Sequence, residues 1–429
     1  MMFYKETAFK ETSIGKIPKE WELRSLKDVV ASCENGVWGD EPSSNDDSYP
    51  VIRSTEITHD GKIDISSVAR RKIPKEIVER YALEDGDILV VGSSGSAHLI
   101  GRTALFLNPD NEKYLFSNFM IRIRPRNIHP HFLYYFLNSE NYFVFLTRLQ
   151  QTSTGLRNLP KKEFLKFNVP FPALPEQRAV AGVLGVVDSV IAKTGEVIAK
   201  TERLKKGLMQ TLLTRGIGHK KYKQTPIGTT PKTWQIVRLG EVLELCQYGL
   251  SARFGDRGKY HILKMDDIVD GVAIPDNAKY IDLDERTFEN FKLEKGDILF
   301  NRTNSYELVG RTGIFLLDGD YTFASYLIRL RPKKEIVDSL FLTYYMIFSN
   351  NRLRQLATRA VHQANINATN LQSFTISIPP LSEQKKIAET LMTLDKKLEF
   401  ERKEKAKLER IKQGLMDLLL TGKVRVKVD

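Results

Sequence analysis

The chain has 429 residues, 41% of them hydrophobic and 28% charged, with a mean hydropathy of −0.31, a composition that supports packed cores and excludes a disordered chain. No uncharged apolar run approaches the ~20 residues that span a bilayer, and the opening MMFYKETAFKETSIG lacks the apolar centre of a signal peptide, so a cytoplasmic chain with no membrane contact is expected. Sixty-five Lys+Arg against 53 Asp+Glu leave a net charge of +12 at pH 7, which favours polyanionic partners through counterion release.

In chain order, IGKIPKEW (residues 14–21) precedes Cys33, Gly36 and a polar stretch around Arg53, PVIRSTEITHDG. LEDGDIL (residues 83–89) opens the buried strand DILVV, and FMIRIR, with its alternation, predicts a second strand ending at Pro125. Between them lies GSSGSAHLIGRT, a loop carrying Ser94, Ser96 and His98. Residues 131–149, HFLYYFLNSENYFVFLTRL, read as one aromatic-rich helix whose rings belong to the core. A second polar loop, QQTSTGLRN, brings Thr152, Thr154, Arg157 and Asn158. After LPEQ the apolar residues fall into heptads, through Val180, Leu184, Val187, Ile191, Ile198, Leu208 and Leu212. Spacing of this kind predicts a coiled-coil helix of roughly 38 residues, about 57 Å long, closed by Gly216.

From about residue 221 the chain repeats itself. IGTTPKTW (227–234), Cys246, Gly249, LEKGDIL (293–299), GRTGIF (310–315) and LIRLRP ending at Pro332 return in the same order. Asn158–Asp188 aligns with Asn365–Asp395 at an offset of 207, and the offset holds to Thr421. The second heptad run comprises Ile387, Leu391, Leu394, Leu398, Leu408, Leu415 and Leu419, is interrupted at Glu401, and ends at Gly422. The expected architecture is an α/β (α+β) fold in four parts: domains at 1–172 and 221–378, alternating with helical segments at 173–220 and 379–429. An internal pseudo-two-fold repeat would pair the two long helices as an antiparallel coiled coil; the alternative, each helix packing only on its own domain, stays open. The two cysteines occupy equivalent places in the two copies, so they are expected to be far apart, without a disulfide or a structural zinc site.

Catalytic machinery is not legible. GxxxxGK[ST] is absent, as is FxGxG followed by [ND]PP[YF], and no carboxylate cluster suits a metal ion. GSSGS in the first copy is rewritten as NRTNS in the second, which an active site would not tolerate. No catalytic or metal-binding residue is therefore expected. The contrast instead points to recognition: framework residues agree between copies while polar loops diverge. In the second copy those loops carry Lys264, Arg302, Asn304, Ser305, Arg359, His362, Gln363 and Asn365. Such side chains pair with base edges, Arg with guanine and Asn or Gln with adenine, and they also hold phosphates.

The pair LPEQ/LSEQ leading into a long helix, with GLMQTLLT/GLMDLLLT near its end, resembles the specificity subunit of a type I restriction-modification system along the whole chain. That resemblance implies two target-recognition domains reading the halves of a bipartite, asymmetric site in double-stranded DNA. It implies helices that set the gap and dock two methyltransferase (modification) subunits, with restriction subunits joining. S-adenosylmethionine, ATP and Mg²⁺ would belong to those partners, and this chain would hold no cofactor. DNA contact falls on Arg53, Ser94, Ser96, His98, Thr152, Thr154, Arg157 and Asn158 and on their second-copy counterparts named above. Arg102 and Arg311, in the shared GRT, are expected to be structural or phosphate-binding. The competing expectation is a non-catalytic, two-headed coiled-coil protein adaptor without DNA sequence specificity.

Overall fold

The computed structural model describes residues 2–43, 47–58, 60–151, 158–359 and 363–427. The chain divides into two compact units, Met1–Gly195 with Lys403–Asp429, and Glu196–Arg402. Two long helices, Leu174–Arg215 and Leu381–Leu420, of 42 and 40 residues, each lend one half to each unit.

In the first unit an antiparallel sheet runs in the order Val30–Asn35, Met120–Pro125, Ile88–Val91, Thr103–Leu105. Ile88 and Val90 meet one core, with Ile121, Phe132 and Phe136; Leu89 and Val91 meet another, with Ile52, Phe106 and Phe116. Both faces of this strand are covered, which is why Ile88–Val91 is apolar throughout instead of alternating. The second unit repeats the plan as Leu243–Tyr248, Leu327–Pro332, Ile298–Asn301 and Thr312–Phe315, and extends it with Val272–Ala273 and Ile268–Val269.

The motifs shared by the two copies are parts of this frame. Asp87 and Asp297, each 1% exposed, accept paired 2.8 Å hydrogen bonds from Arg124 and Arg331 on the neighbouring strand. Gly36 and Gly249 are fixed by close approach: a Cβ would lie 1.9 Å from the Phe116 carbonyl oxygen and 2.2 Å from that of Ala324. The aromatic segments differ from expectation, since each forms two helices, Pro130–Phe136 with Glu140–Gln151 and Ser339–Phe348 with Asn350–Arg354. At the first break the Ser139 hydroxyl takes a local backbone group, donating to the Phe136 carbonyl at 2.7 Å; past the second, Asn350 ties the chain to the Gly310 carbonyl at 3.1 Å. Phe132, Phe136, Phe341 and Tyr345 on these helices are buried.

The EQ pair sets each long helix on its domain. Glu176 accepts the Trp21 indole N–H at 3.1 Å, and Glu383 accepts that of Trp234 at 3.3 Å. Gln177 accepts the His129 amide at 2.7 Å and donates to the Pro172 carbonyl at 2.8 Å; Gln384 repeats this with Asp338 and Pro379, both at 2.8 Å. Both helices end at glycines with positive φ, Gly216 (+68°) and Gly422 (+72°), the geometry of a helix stop.

Within each unit the helix halves run antiparallel. In the first, Arg425 meets Glu176 and Lys412 meets Asp188; in the second, Ile217 meets Glu383, Lys205 meets Asp395 and Arg402 meets Glu202. Of the predicted seam, Val180, Leu184, Ile387, Leu391, Leu398 and Leu419 are buried. Val187, Ile191, Ile198, Leu208, Leu212, Leu394, Leu408 and Leu415 are half-buried. Burial is deepest towards the domains: Val180 and Leu184 share one core with Leu419, and Ile387 and Leu391 share another with Leu213. Each helix half therefore packs both on its partner helix and on a domain.

Candidate nucleic-acid interface

In the first unit Arg53 closes a turn. Its amide donates to Glu56 Oε2 and its guanidinium to Oε1, both at 2.6 Å. Burial alone would raise the Glu56 carboxyl, but hydrogen bonds from Arg53 and Thr55 outweigh it and hold the group below the usual carboxylate range. Arg53 is thus partly committed to the frame, with its side chain 38% exposed. Ser94, Ser96 and His98 share the loop between Ile88–Val91 and Thr103–Leu105; Ser94 accepts the Ser96 amide at 3.1 Å, and Ser96 and His98 are exposed. The Ser93 hydroxyl donates to Asn158 Oδ1 at 2.5 Å across an isolated antiparallel bridge, which joins this loop to the exposed Asn158. Thr152, Thr154 and Arg157 lie outside the described residues.

The second unit carries a small three-stranded sheet at the corresponding loops. Thr303–Asn304 pairs with Ala364–Asn365, which pairs in turn with Thr358–Arg359. Arg302 reaches the Ser325 carbonyl and Asn365 Oδ1, both at 3.3 Å, and lies 4.7 Å above the Tyr248 ring. Asn304 donates to Met265 Sδ at 3.3 Å and accepts the Ser305 amide at 2.8 Å, so Asn304 reaches the turn that begins at Lys264, while Arg302 and Asn365 meet each other. That turn repeats the Arg53 design: the Lys264 amide donates to Asp267 Oδ2 at 2.7 Å, and its ammonium is 3.7 Å from Oδ1. Gln363 is exposed; His362 and the Arg359 side chain lie outside the described residues. Of the GRT arginines, Arg102 is half-buried and Arg311 exposed.

Two features beside these loops were not anticipated. Phe119 is 57% and Tyr326 47% exposed, and their carbonyls accept the amides of Ser93 and Arg302 at 2.9 and 3.0 Å. Their signal is an aromatic immediately before MIRIR and LIRLR, at the 207 offset. The other is residues 251–259, SARFGDRGK, exposed throughout. Arg253 and Arg257 there have no acidic partner among the described residues, and Phe254 is 39% exposed. The first copy has an acidic stretch at that place, around Asp40, Glu41 and Asp47, with Glu41 paired to Arg71. Among the described residues no group of His, Cys, Asp and Glu could hold a metal, and no helix is long and apolar enough to cross a membrane. The geometry is that of two equivalent frames carrying unlike polar and cationic edges.

Known proteins give that geometry a family. The model of the type I restriction modification DNA specificity domain matches twice, at residues 18–203 and 231–410. A putative type I restriction enzyme MjaX specificity subunit from Methanocaldococcus jannaschii is 31% identical over all of this chain and 99% of its own length. The EcoKI specificity subunit of Escherichia coli K12 is 25% identical over 87% of this chain and 82% of its own. Among solved structures, the type I restriction-modification S subunit from M. genitalium superposes with a TM-score of 0.58 at 14% identity, covering 96% of this chain and 97% of that one. A chain solved in work on assembly and conformational transition of the type I R-M system gives 0.56 at 21% identity, covering 95% and 99%. With the family's domain matched twice across both copies of the repeat, the chain belongs to the specificity subunits of type I restriction-modification systems.

Proposed function

We propose that the chain reads a bipartite, asymmetric site in double-stranded DNA, one half with each domain, and brings two modification subunits and the restriction subunits to it. The observation that carries this reading is the contrast at one place in two equivalent frames. GSSGS with Asn158 stands in the first unit where NRTNS, built into a three-stranded sheet with Asn365, stands in the second. A common frame with different donors and acceptors is what two readers of different half-sites need. The +12 charge supplies the sequence-independent attraction. The paired long helices serve as spacer and dock, catalysis rests with the partners together with S-adenosylmethionine, ATP and Mg²⁺, and the assembly works in the cytoplasm.

The test replaces residues 1–172 with the corresponding domain of another specificity subunit and maps methylated positions on random DNA in the presence of the modification subunit. One half of the recognised site is expected to change and the other to persist. If both halves change, or neither, the two-reader model fails; methylation without any sequence preference would favour an adaptor.

A further inference from the structure

The first unit carries an open groove of about 570 Å³ between the Asp60–Lys62 loop, the residues after strand Thr103–Leu105 and the two long helices. Its walls are largely apolar, with Ile65, Leu107 (55% exposed) and Ile191. Asp60, on the domain loop, and Glu409, on the second long helix, add carboxylates from two sides.

In the second unit the chain clamps the equivalent place with its own side chain. Arg402 donates to Asp270 Oδ2 at 2.7 Å and to Glu202 Oε1 at 2.8 Å. Each member of that clamp has a counterpart. Asp270 and Asp60 both precede a glycine of positive φ, Gly271 and Gly61, in the repeated loop. Glu202 corresponds to Glu409 at the 207 offset, and Arg402 corresponds to Gly195. A Cβ on Gly195 would meet nothing within 4 Å. The first unit therefore keeps both carboxylates and lacks the guanidinium that joins them. What they hold instead is local: Asp60 accepts the Thr58 hydroxyl at 2.6 Å and is 3.3 Å from Lys62, and Glu409 is 3.8 Å from Lys405, the two ion pairs being solvent-exposed and of little energetic value.

We infer that this groove receives an arginine side chain presented on an apolar segment of a second protein, and, resting on the function proposed above, that this protein is a modification subunit. A planar guanidinium can satisfy two carboxylates at once where an ammonium cannot do so with the same geometry. A segment seated between the apolar walls would cover the two exposed carboxylates, and charge contacts covered in this way are those that contribute most to binding. Because Arg402 closes the second clamp internally, the arginine contact belongs to the first unit alone, and the two modification subunits engage the chain unequally.

The test measures binding of the purified modification subunit to the full chain, using Gly195→Arg, Arg402→Gly and a benzoyl-phenylalanine photocrosslinker at Leu107. Gly195→Arg supplies the missing clamp from within and is expected to weaken binding of one modification subunit about ten-fold, just below the range for loss of a fully desolvated charge contact because the carboxylates are partly exposed, with an unchanged unfolding midpoint. Arg402→Gly should leave that affinity intact, and the Leu107 crosslink should map to an arginine-containing peptide of the modification subunit. Unchanged affinity in Gly195→Arg, or a complex that forms with no adduct from Leu107, overturns the groove assignment while leaving the function standing. Failure of the unaltered chain to bind the modification subunit at all overturns the function and this inference with it.

Discussion

The Tyr135 hydroxyl donates to Asp188 Oδ2 at 2.7 Å, and the other oxygen of that carboxylate is 2.6 Å from Lys412 Nζ. One residue of the first long helix thereby holds both its own domain and the antiparallel helix. Tyr344, Asp395 and Lys205 repeat the junction in the second unit. Burial, and then the Asp188 hydrogen bond and charge, push the Tyr135 phenol far above its ordinary range, so it remains a donor at any pH at which the protein is folded. Asp188→Ala leaves a hydroxyl and an ammonium without their acceptor and should cost about 1–3 kcal/mol, discounted for partial exposure. A double-mutant cycle with Tyr135→Phe in urea unfolding checks this. Strictly additive effects would mean that the junction is not an energetic unit.

Arg425 makes a second such node. It forms a fork with Glu176, at 2.9 Å on each oxygen, and also reaches Glu6 at 3.0 Å and Glu20 at 2.7 Å. Its strand, Val424–Lys427, pairs with Met2–Lys5. The Glu176 side chain is 3% exposed, so Arg425→Ala strands a buried carboxylate with only the Trp21 indole and should cost about 3 kcal/mol. Hydrogen exchange should show loss of protection at residues 2–5 and none at the hairpin Tyr222–Thr225, because Glu383 is held there by the Ile217 amide and His219. Equal loss in both places would contradict this assignment.

How much of this was legible in the sequence follows from what each residue does. The repeat exposed the frame because the frame is built from obligatory pairs: Asp87 requires Arg124, Glu176 requires Trp21, and Gly36 requires the passing Phe116 carbonyl. The heptads located the seam because burial of Val180, Leu184, Ile387 and Leu391 imposes the period. Periodicity was blind to the helix breaks at Ser139 and Ser349, and the aromatic run concealed them; at the first the Ser139 hydroxyl takes over the Phe136 carbonyl. Arg53 and Lys264 looked like free cations, yet both sit on acidic residues three positions on, a pairing that residue type alone does not distinguish from a capping turn. Phe119 and Tyr326 escaped because an exposed aromatic and a core aromatic read alike until the sheet fixes which way they face.

Those two aromatics carry a prediction on binding. Phe119→Ala and Tyr326→Ala should each weaken DNA binding by about 1–3 kcal/mol, the range for loss of an aromatic packed on a base or sugar, with unfolding midpoints unchanged because neither ring is buried. Each change should relax preference in a different half-site. Fluorescence anisotropy on duplexes with one half scrambled reads both effects, and undiminished affinity in both variants would exclude the rings from the interface.

Cys33 and Cys246 are free and half-buried, and burial pushes both thiols up to about 11. The thiolate is the reactive form, so at pH 8 both should react with iodoacetamide far more slowly than they do in denaturant, with the rate still climbing as pH rises through 9 and 10. Labelling at pH 8 as fast as in the unfolded chain would show that the thiols are not shielded.

Glycines give a sign test of the packing. At Gly249 an added Cβ would lie 2.2 Å from the Ala324 oxygen and 2.5 Å from its carbonyl carbon. Backbone on both sides cannot yield, so Gly249→Ala should lower stability by about 3 kcal/mol or more, as overpacking of a close approach does. Gly207 and Gly414, equivalent positions inside the long helices, would meet nothing within 4 Å. There alanine only removes backbone freedom from the unfolded chain, and each substitution should raise stability by about 0.5–1 kcal/mol. Thermal or urea unfolding of the three variants decides: a stabilised Gly249→Ala would mean that the strand ending at Tyr248 does not run on past the Phe323–Ala324 backbone, and with it the alignment of Gly36 and Gly249 as one structural position would fail.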